Sequence, residues 1–284
     1  MTLNQTGPQV GVVIVTHNSE PFLARAIDCL WNQTLLPAHL VLVDSGSDSP
    51  EYVQVAGQQA RPLVPALDVV IRHNIGFCAG SNLGYQMLEK RCDYVLFLNP
   101  DVFLGLETLA CLLSTLTAGE RIGAATGLLL GYDIAKAAPS GRIDSAGVFR
   151  TWYGHWYDRF HGRRLDEVDL GPPREVPAIN GALMLCRRES LQEVVLPGGD
   201  VFPPEFFMYK EDIDLSLRLR RRGWRLWFDP SIRSFHCRGW RGRTRMPKQF
   251  RIMSARNELQ VCLKNRDPRV LYSLAKYFYA QFFE

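Results

Sequence analysis

The sequence lacks a long apolar run, and its cysteines are not spaced as they are in zinc sites. Without about 18 consecutive apolar residues, a membrane-spanning helix is not expected. The polar segment 1–10 lacks the basic-then-apolar layout of a secretory signal, so we expect a cytoplasmic protein. The seven cysteines are scattered and never spaced as C-x-x-C, which favours reduced structural thiols.

Two further patterns are missing. The glycine-rich stretch 74–84 does not fit G-x-G-x-x-G, so a dinucleotide-binding fold is disfavoured. The chain also shows no Ser/His or Cys/His arrangement that would suggest a covalent nucleophile.

Positive charge is concentrated in one part of the chain. The formal net charge is +4, yet residues 218–251 contain twelve Lys and Arg against the single acid Asp229. Such a block suggests contact with phosphate, an anionic membrane surface or nucleic acid. A solvated basic face is the plainer alternative.

Apolar runs alternate with helical patterns in the N-terminal half. Strands are predicted at 10–19, 39–47, 68–74 and 94–98, and helices at 21–34 and 81–90. Short links between strand and helix predict a parallel sheet covered by helices. Further along, 133–147 and 165–178 are predicted to be loops, 179–188 a strand and 211–223 a helix.

Three polar clusters follow predicted strands, at Thr16–Asn18, Asp44–Asp48 and Asn99–Asp101. Ligands of such sheets bind beyond the carboxyl ends of the strands, so we expect the clusters to line one crevice. Asp101 there is well placed to hold a divalent cation with substrate phosphates. The alternative is a turn aspartate that caps a helix beginning near Glu107.

Two other stretches are candidates for chemistry. The three glycines Gly76, Gly80 and Gly84 would let backbone amides approach a diphosphate, although a tight turn explains one of them. An acidic cluster, Glu211, Asp212 and Asp214, opens the last predicted helix, where a carboxylate could accept a proton from an attacking hydroxyl. These acids could instead only pair with Arg218, and a lone His236 is usually structural.

Seven motifs occur in a characteristic order: VVIVTHN, VLVDSGSDS, NIGFCAGSN, LFLNPD, NGALMLCRRESL, PPEFFMYKEDIDLSLRLRRRG and SFHCRG. From about Val10 to His236 the chain thereby resembles the inverting family 2 glycosyltransferases of the GT-A fold, and bacterial rhamnosyltransferase-like members in particular. The resemblance implies an α/β fold, a Rossmann-like and mostly parallel sheet flanked by helices. It also implies a catalytic domain at 8–245 and a C-terminal helical extension at 246–284.

The resemblance also implies roles for individual residues. The nucleoside would be held by Thr16, Asn18, Asp44 and Ser45, and the ribose and diphosphate by Asn74, Gly76, Gly80 and Asn82. Asn99-Pro100-Asp101 occupies the place of the D-x-D motif, with Asn99 instead of the first aspartate. Asp101 would then be the main acidic ligand of Mg²⁺ or Mn²⁺, with His236 as an added metal ligand. Asp212, with Glu211 beside it, would be the catalytic base.

The function implied is transfer of L-rhamnose from dTDP-L-rhamnose to a hydroxyl of a bacterial surface glycan or a lipid-linked acceptor. A UDP-sugar donor, such as galactofuranose or a hexose, is the alternative. A nucleic-acid-binding module is the rival from another class, because aromatic residues interleave with the arginines of 218–251: Trp224, Trp227, Phe235 and Trp240. No nucleic-acid fold motif accompanies them, so nucleic acid is not expected as a partner.

The C-terminal segment 269–284 has an amphipathic helical pattern rich in aromatics. One face would carry Leu271, Leu274, Ala275, Phe278 and Phe282. Helices of this type lie on membrane surfaces, so a peripheral contact with the inner face of the plasma membrane is expected. Packing on the catalytic domain or on a partner chain is the alternative.

Overall fold

The computed structural model describes residues 7–60, 65–88, 90, 92–238 and 246–283. Its strands are β1 Val10–Thr16, β2 His39–Ser45, β3 Ala66–Arg72, β4 Tyr94–Leu98, β5 Val102–Leu104, β6 Ile122–Asp133, β7 Ala138–Ser145, β8 Val148–Arg150, β9 Trp156–Asp158, β10 Arg174–Glu175, β11 Leu183–Arg187 and β12 Arg225–His236. Its helices are α1 Glu20–Trp31, α2 Glu51–Ala60, α3 Gly76–Met87, α4 Thr108–Thr117, α5 Arg188–Gln192, α6 Glu211–Arg221, α7 Lys248–Lys264 and α8 Val270–Phe282.

The central sheet has the strand order β10-β12-β6-β11-β4-β1-β2-β3, with β5 and β7 attached to β12 and β6. The β4-β1-β2-β3 half is parallel, as predicted, and so is the β6–β12 pair. β11 runs antiparallel between β4 and β6 and joins these two parts. The expected mixed α/β fold with a mostly parallel sheet is confirmed.

Strand β1 lies inside the molecule and contributes to two hydrophobic cores. Val10, Val12 and Ile14 pack on one face with α1, α2 and α4, while Val13 and Val15 pack on the other with α3 and α6. Because consecutive side chains of a strand point to opposite faces, an unbroken run of β-branched residues is what burial on both faces requires. Because β1 is packed on both faces, the loop after Thr16 begins from a defined position.

The structure corrects several predicted boundaries. Residues 133–147 are not a loop, because β6 continues to Asp133 and the edge strand β7 covers Ala138–Ser145. The first half of β7 is exposed and polar, and for this reason its sequence pattern resembles that of a loop. The segment 165–178 includes a 3₁₀ turn and β10, and helix α2 was not predicted. By contrast, β4 ends at Leu98, as the following Asn-Pro-Asp suggested.

The two C-terminal helices pack against each other and against the sheet domain. The buried Arg150 on β8 forms an ion pair with Asp267, between α7 and α8. The predicted boundary at residue 245 falls within 239–245, outside the described residues, and stays a prediction. None of the helices in the described ranges is long and apolar enough to cross a bilayer.

Candidate active site

Two of the three predicted polar clusters meet at the carboxyl ends of β1 and β2. The Asn18 amide donates to Asp48 Oδ2 at 3.1 Å, and the Asp48 N–H donates back to Asn18 Oδ1 at 2.8 Å. Asn18 has φ of +48°, which turns the chain away from the sheet. The third cluster begins at Asn99, directly after β4, which is the neighbour of β1. All three polar clusters therefore lie at the same edge of the sheet, as expected.

The floor of this edge is closed by hydrogen bonds within the protein. Asp44 is fully buried, and its carboxylate accepts the Ser47 N–H at 3.1 Å as well as the Ser47 hydroxyl. Thr16 is also buried, and its hydroxyl lies 2.7 Å from the Tyr52 hydroxyl. Each oxygen of the Asp44 carboxylate accepts one hydrogen bond from Ser47 and keeps acceptor capacity for a further donor.

The beginning of α3 is held by Ser45. Its hydroxyl oxygen accepts the N–H groups of Ile75 and Gly76, each at 3.0 Å, and its proton is donated to Asn74 Oδ1 at 3.3 Å. Gly76 has φ of +81°, and a Cβ there would lie 2.6 Å from Phe207. The Gly76 N–H is bound to Ser45 and is not free to bind a diphosphate. The structure therefore does not show the row of free glycine amides that the sequence suggested.

Gly80 and Asn82 lie inside the protein, away from the position predicted for them. A Cβ on Gly80 would lie 2.8 Å from Val15, so this glycine lets α3 approach β1 closely. The buried Asn82 amide donates to the Phe202 carbonyl at 2.9 Å and accepts the Val201 and Phe202 N–H groups. The prediction that these two residues surround a ribose-diphosphate does not fit their buried, occupied positions.

Asp101 and His236 come together across the β5–β12 pair. His236 Nε2 lies 3.3 Å from Asp101 Oδ1, and His236 Nδ1 donates to Asp144 Oδ2 at 2.8 Å. Burial lowers the pKa of His236, but the two carboxylates outweigh it and raise the pKa to about 10. Burial raises the pKa of Asp101, and the charge and hydrogen bond of His236 more than offset this and lower it.

Asp101 supplies a carboxylate, the side-chain ligand that Mg²⁺ and Mn²⁺ prefer, and Mg²⁺ commonly binds one or two carboxylates plus substrate phosphates. Because its pKa is raised to about 10, His236 would ligate a cation through Nε2 only after that nitrogen releases its proton. The Asp101 side chain is 20% exposed, so a ligand can reach it. Asp144 orients the ring of His236 by accepting the hydrogen bond of its Nδ1, as carboxylates commonly do for metal-bound histidines. Within the described residues no cluster of three such ligands occurs, so phosphate oxygens would have to complete the coordination.

A polar network leads from His236 to the acidic end of α6. Arg238 Nε lies 2.9 Å from Asp144 Oδ1, and Arg238 Nη2 donates to Asp158 Oδ2 at 3.0 Å. The Asn180 amide donates to the other oxygen of Asp158 at 2.9 Å. The next residue, Gly181, donates its N–H to Asp212 Oδ2 at 3.1 Å. The predicted metal residues and the predicted base thus face the same end of the sheet.

Asp212 and Glu211 have different surroundings, although they are adjacent. Asp212 accepts two backbone N–H groups, from Gly181 and from Ile213 at 2.8 Å, and remains partly exposed. Glu211 is buried, and its Oε2 atom has no hydrogen-bond partner in the structure. Burial, followed by the charge of Asp212, raises the pKa of Glu211, and burial raises that of Asp212. Asp214, the third acid, is bound to Arg218 at 2.8 Å, as expected for a structural pair.

A cavity of about 540 Å³ opens beside His236, between β6, β7 and the loop that follows β9. Lys136, Arg142 and Arg238 contribute cationic side chains to its walls, and Asp144 lies at its base. Sequence reasoning missed this cavity and Asp144, because it assigned residues 133–147 to a loop. It also missed Arg238 and Asp158 as individual residues. The sequence signal for Asp144 is its place at the polar end of β7, a strand that was not recognised.

Two of the four aromatic residues of the basic block do not present a ring face for stacking. Trp224 is buried beneath Arg121, and Phe235 packs against Tyr132. Trp227 is partly buried, with the Arg225 guanidinium over its ring, and Trp240 lies outside the described residues. A base-stacking surface needs exposed ring faces, so Trp224 and Phe235 do not support the nucleic-acid alternative.

The fold is that of a glycosyltransferase of GT-A type. The family profile "Glycosyltransferase like family 2" matches residues 8–257, and the chain belongs to this family. The chain is 29% identical over 252 residues to the N-acetylglucosaminyl-diphospho-decaprenol L-rhamnosyltransferase of Mycobacterium tuberculosis, covering 79% of this chain and 75% of the relative. It is 25% identical over 247 residues to the rhamnosyltransferase WbbL of Escherichia coli, covering 85% and 88%.

Solved structures confirm the fold. GalNAc-T7, crystallised with UDP, GalNAc and Mn²⁺, matches with a TM-score of 0.73 at 19% identity, over 99% of this chain and 52% of that one. This chain thus spans about half the length of the GalNAc-T7 structure. The mannosyltransferase PcManGT from Pyrobaculum calidifontis, in complex with GDP-Man and Mn²⁺, matches with a TM-score of 0.63 at 20% identity, over 98% and 71%.

Proposed function

We propose that this glycosyltransferase transfers L-rhamnose from dTDP-L-rhamnose to a hydroxyl of a bacterial surface glycan or lipid-linked acceptor, with inversion of the anomeric centre. The names of the two rhamnosyltransferase relatives support the sugar, and the decaprenol relative supports a lipid-linked acceptor. A UDP-galactofuranose donor is the second candidate. It is supported by 36% identity over 95 residues to the galactofuranosyltransferase GlfT1 of Mycobacterium tuberculosis, 32% of this chain and 30% of that protein.

The position of Asp212 is the observation that carries this proposal. The two backbone N–H groups fix its carboxylate at the partly exposed end of α6, on the same side of the sheet as Asp101. Burial raises the pKa of Asp212, which makes it a better proton acceptor than an ordinary aspartate. Asp212 would remove the proton of the acceptor hydroxyl as that oxygen attacks the anomeric carbon.

Glu211 would act on Asp212 without contacting the acceptor. Two adjacent carboxyls titrate as a pair, and the buried member holds its proton more tightly. Glu211 then stays neutral, which spares Asp212 a second negative charge at close range. Asp212 is the partly exposed member of the pair, the one that the acceptor hydroxyl can reach.

Asp101 and His236 would hold Mg²⁺ or Mn²⁺ with oxygens of the donor diphosphate. When bound, the cation would stabilise the negative charge that the leaving nucleoside diphosphate acquires. Asn99 lies directly after β4, two residues before Asp101, and its N–H donates to the Ala182 carbonyl at 2.9 Å. Thr16, Asn18, Asp44, Ser45, Asn74 and Gly76 form the edge at which we place the nucleoside.

The role of Asp212 is tested by replacement with Asn. Asp212→Asn should bind dTDP-L-rhamnose as wild type does, while transfer falls by about 10²-fold or more, because the base is lost. Isothermal titration and a radiolabelled transfer assay measure the two quantities, with the exposed Asp166→Asn as control. Near-normal turnover would remove Asp212 from this role. A parallel screen of dTDP-, UDP- and GDP-sugars decides the donor.

The metal residues are tested by Asp101→Ala. This variant should lose the Mn²⁺-dependent part of dTDP binding, because the carboxylate is the only acidic ligand in the proposed pair. Titration of dTDP with Mn²⁺ and with EDTA, on wild type and variant, gives the difference. Equal binding by wild-type protein in EDTA would contradict the metal assignment.

We also propose a peripheral contact with the membrane. The outer face of α8 exposes Leu271 by 74%, Phe278 by 51% and Phe282 by 66%, and residues 268–283 contain no acid. Beside this face, the β8–β9 turn presents Trp152, which is 86% exposed. Its neighbour Tyr153 packs on Tyr272 of α8 with ring centroids 5.1 Å apart. Aromatic and apolar side chains without acidic neighbours suit the headgroup region of an anionic leaflet.

A further inference from the structure

The residues that precede the acidic pair have an unfavourable backbone conformation. Tyr209 and Lys210 both have φ of +72°, in the left-handed region that non-glycine residues rarely adopt. Two such residues in succession persist only where the surrounding structure holds them. Lys210 is also the N-cap of α6, so the direction of this turn determines where Glu211 and Asp212 point.

Helix α7 holds this turn through one side chain. Asn257 is fully buried, and its amide nitrogen donates to the Met208 carbonyl at 2.9 Å and to the Tyr209 carbonyl at 3.0 Å. The other atom of this amide, Oδ1, accepts from the neighbouring Arg256 guanidinium at 3.3 Å. Both donor positions of the Asn257 amide are therefore used on the turn.

Further contacts hold the turn on both sides of these carbonyls. The Phe207 carbonyl accepts the Cys78 N–H of α3 at 3.3 Å, on the side where we place the donor. The Lys210 ammonium lies 3.2 Å from Glu258, which is fully buried and also binds Lys276 of α8 at 2.7 Å. The turn thus lies between the donor side of the site and the C-terminal helices.

We propose that Asn257 is a positioning residue for catalysis. It holds the left-handed turn at Tyr209–Lys210 and thereby aims Asp212 at the acceptor hydroxyl. This inference rests on the proposed role of Asp212 as the base. Asn257 does not itself reach the crevice, because its amide is fully buried and bound to backbone carbonyls. Its loss should lower the rate of proton removal without changing the contacts of the donor.

The test compares Asn257→Ala with Asn265→Ala, a second asparagine of the same region whose amide donates only within its own helix, to the Val261 carbonyl. We expect kcat of Asn257→Ala to fall by about 10- to 100-fold, the scale of a small misplacement of a catalytic group, with the donor KM unchanged. Asn265→Ala should retain the wild-type kcat. The proposal would be overturned if Asn257→Ala kept the wild-type kcat, with or without a rise in the donor KM.

A rescue experiment separates positioning from general damage. Glycine adopts positive φ without strain, so Asn257→Ala should reduce kcat much less in a Tyr209→Gly background than in wild type. Equal losses in the two backgrounds would overturn the proposal. If Asn257→Ala does not fold, Asn257→Ser, which keeps one donor, replaces it in the same comparison.

The Asp212→Asn variant is assayed in the same series. An active Asp212→Asn enzyme would contradict the assignment of the base. An inactive Asp212→Asn enzyme together with a fully active Asn257→Ala enzyme would contradict only the positioning role. The two hypotheses therefore fail on different measurements.

Discussion

At the scale of single residues, the site depends on carboxyls with very different surroundings. Asp101 and Asp144 lie against His236 and keep lowered pKa values, although burial opposes this. The pKa of Glu211 is raised instead, because burial and then the charge of Asp212 outweigh its backbone hydrogen bond and the charge of Lys210. Burial penalises the charged form, so such an acid lowers stability when it ionises.

Glu211→Gln should therefore change how stability depends on pH. The pKa of Glu211 is raised in the folded state, so its contribution is fully present below the ordinary value of about 4.3 and is lost as pH rises through the raised value. The wild-type free energy of unfolding should fall across that window more steeply than that of Glu211→Gln. Urea unfolding between pH 4 and 9 measures this, with the exposed Glu189→Gln as control. Parallel curves for wild type and Glu211→Gln would contradict the raised pKa.

At the scale of elements, α3 and β1 are in unusually close contact. Two glycines of α3 face valines of β1, with Gly80 over Val15 and Gly84 over Val13. A helix can approach a strand this closely only where no Cβ intervenes. The two glycines therefore bring α3 close to β1. The start of α3, which is bound to Ser45 and preceded by Asn74, thereby lies at the edge of the sheet where we place the site.

Gly84→Ala should destabilise the protein by about 1–3 kcal/mol, because the new Cβ would lie 2.4 Å from Val13 Cγ1 and force the helix outward. Urea unfolding measures the change. Gly7→Ala, with no atom within 4 Å of its Cβ position, should be close to neutral. In a Val13→Ala background, the loss of unfolding free energy caused by Gly84→Ala should largely disappear. An unchanged loss in that background would show that the contact with Val13 is not the cause.

At the scale of the whole molecule, the C-terminal helices connect the site to an exposed apolar surface. The same α7–α8 pair carries Asn257 and Glu258 on its inner side and Phe278 and Phe282 on its outer side. If the acceptor is lipid-linked, as proposed, it would be presented to Asp212 at a membrane surface. The proposed membrane contact and the proposed base are thus joined by two packed helices.

Membrane binding should depend on both aromatic elements and on charge. Wild-type protein should co-sediment with phosphatidylglycerol vesicles at low salt and less at high salt, since each basic residue near the surface contributes about 1 kcal/mol. The double variant Trp152→Ala/Phe282→Ala should bind more weakly, because it removes two exposed rings. Leu106→Ala, another exposed apolar residue, is the control. Absence of binding at low salt, or equal binding by the double variant, would refute the membrane contact.

The sequence by itself determined the parallel half of the sheet and the edge of the sheet at which we place the site. The run of β-branched residues in β1, the interruption of β4 at Asn99 and the acids at the start of α6 are local patterns. Each follows from periodicity, from the missing N–H of proline or from helix-end electrostatics, so no long-range information is needed. The carboxyl-end rule for parallel strands then placed the three polar clusters together.

Only the tertiary structure decided which side chains are engaged. Gly80 and Asn82 match the motif, yet packing turns them into the core. Asp144, Asp158 and Arg238 come from an edge strand, a short hairpin and the end of β12, and they meet only after the sheet is assembled. Asn257 reaches the Tyr209–Lys210 turn from 48 positions along the chain. Contacts between such distant residues follow from the packing of whole elements, which a local sequence pattern does not encode.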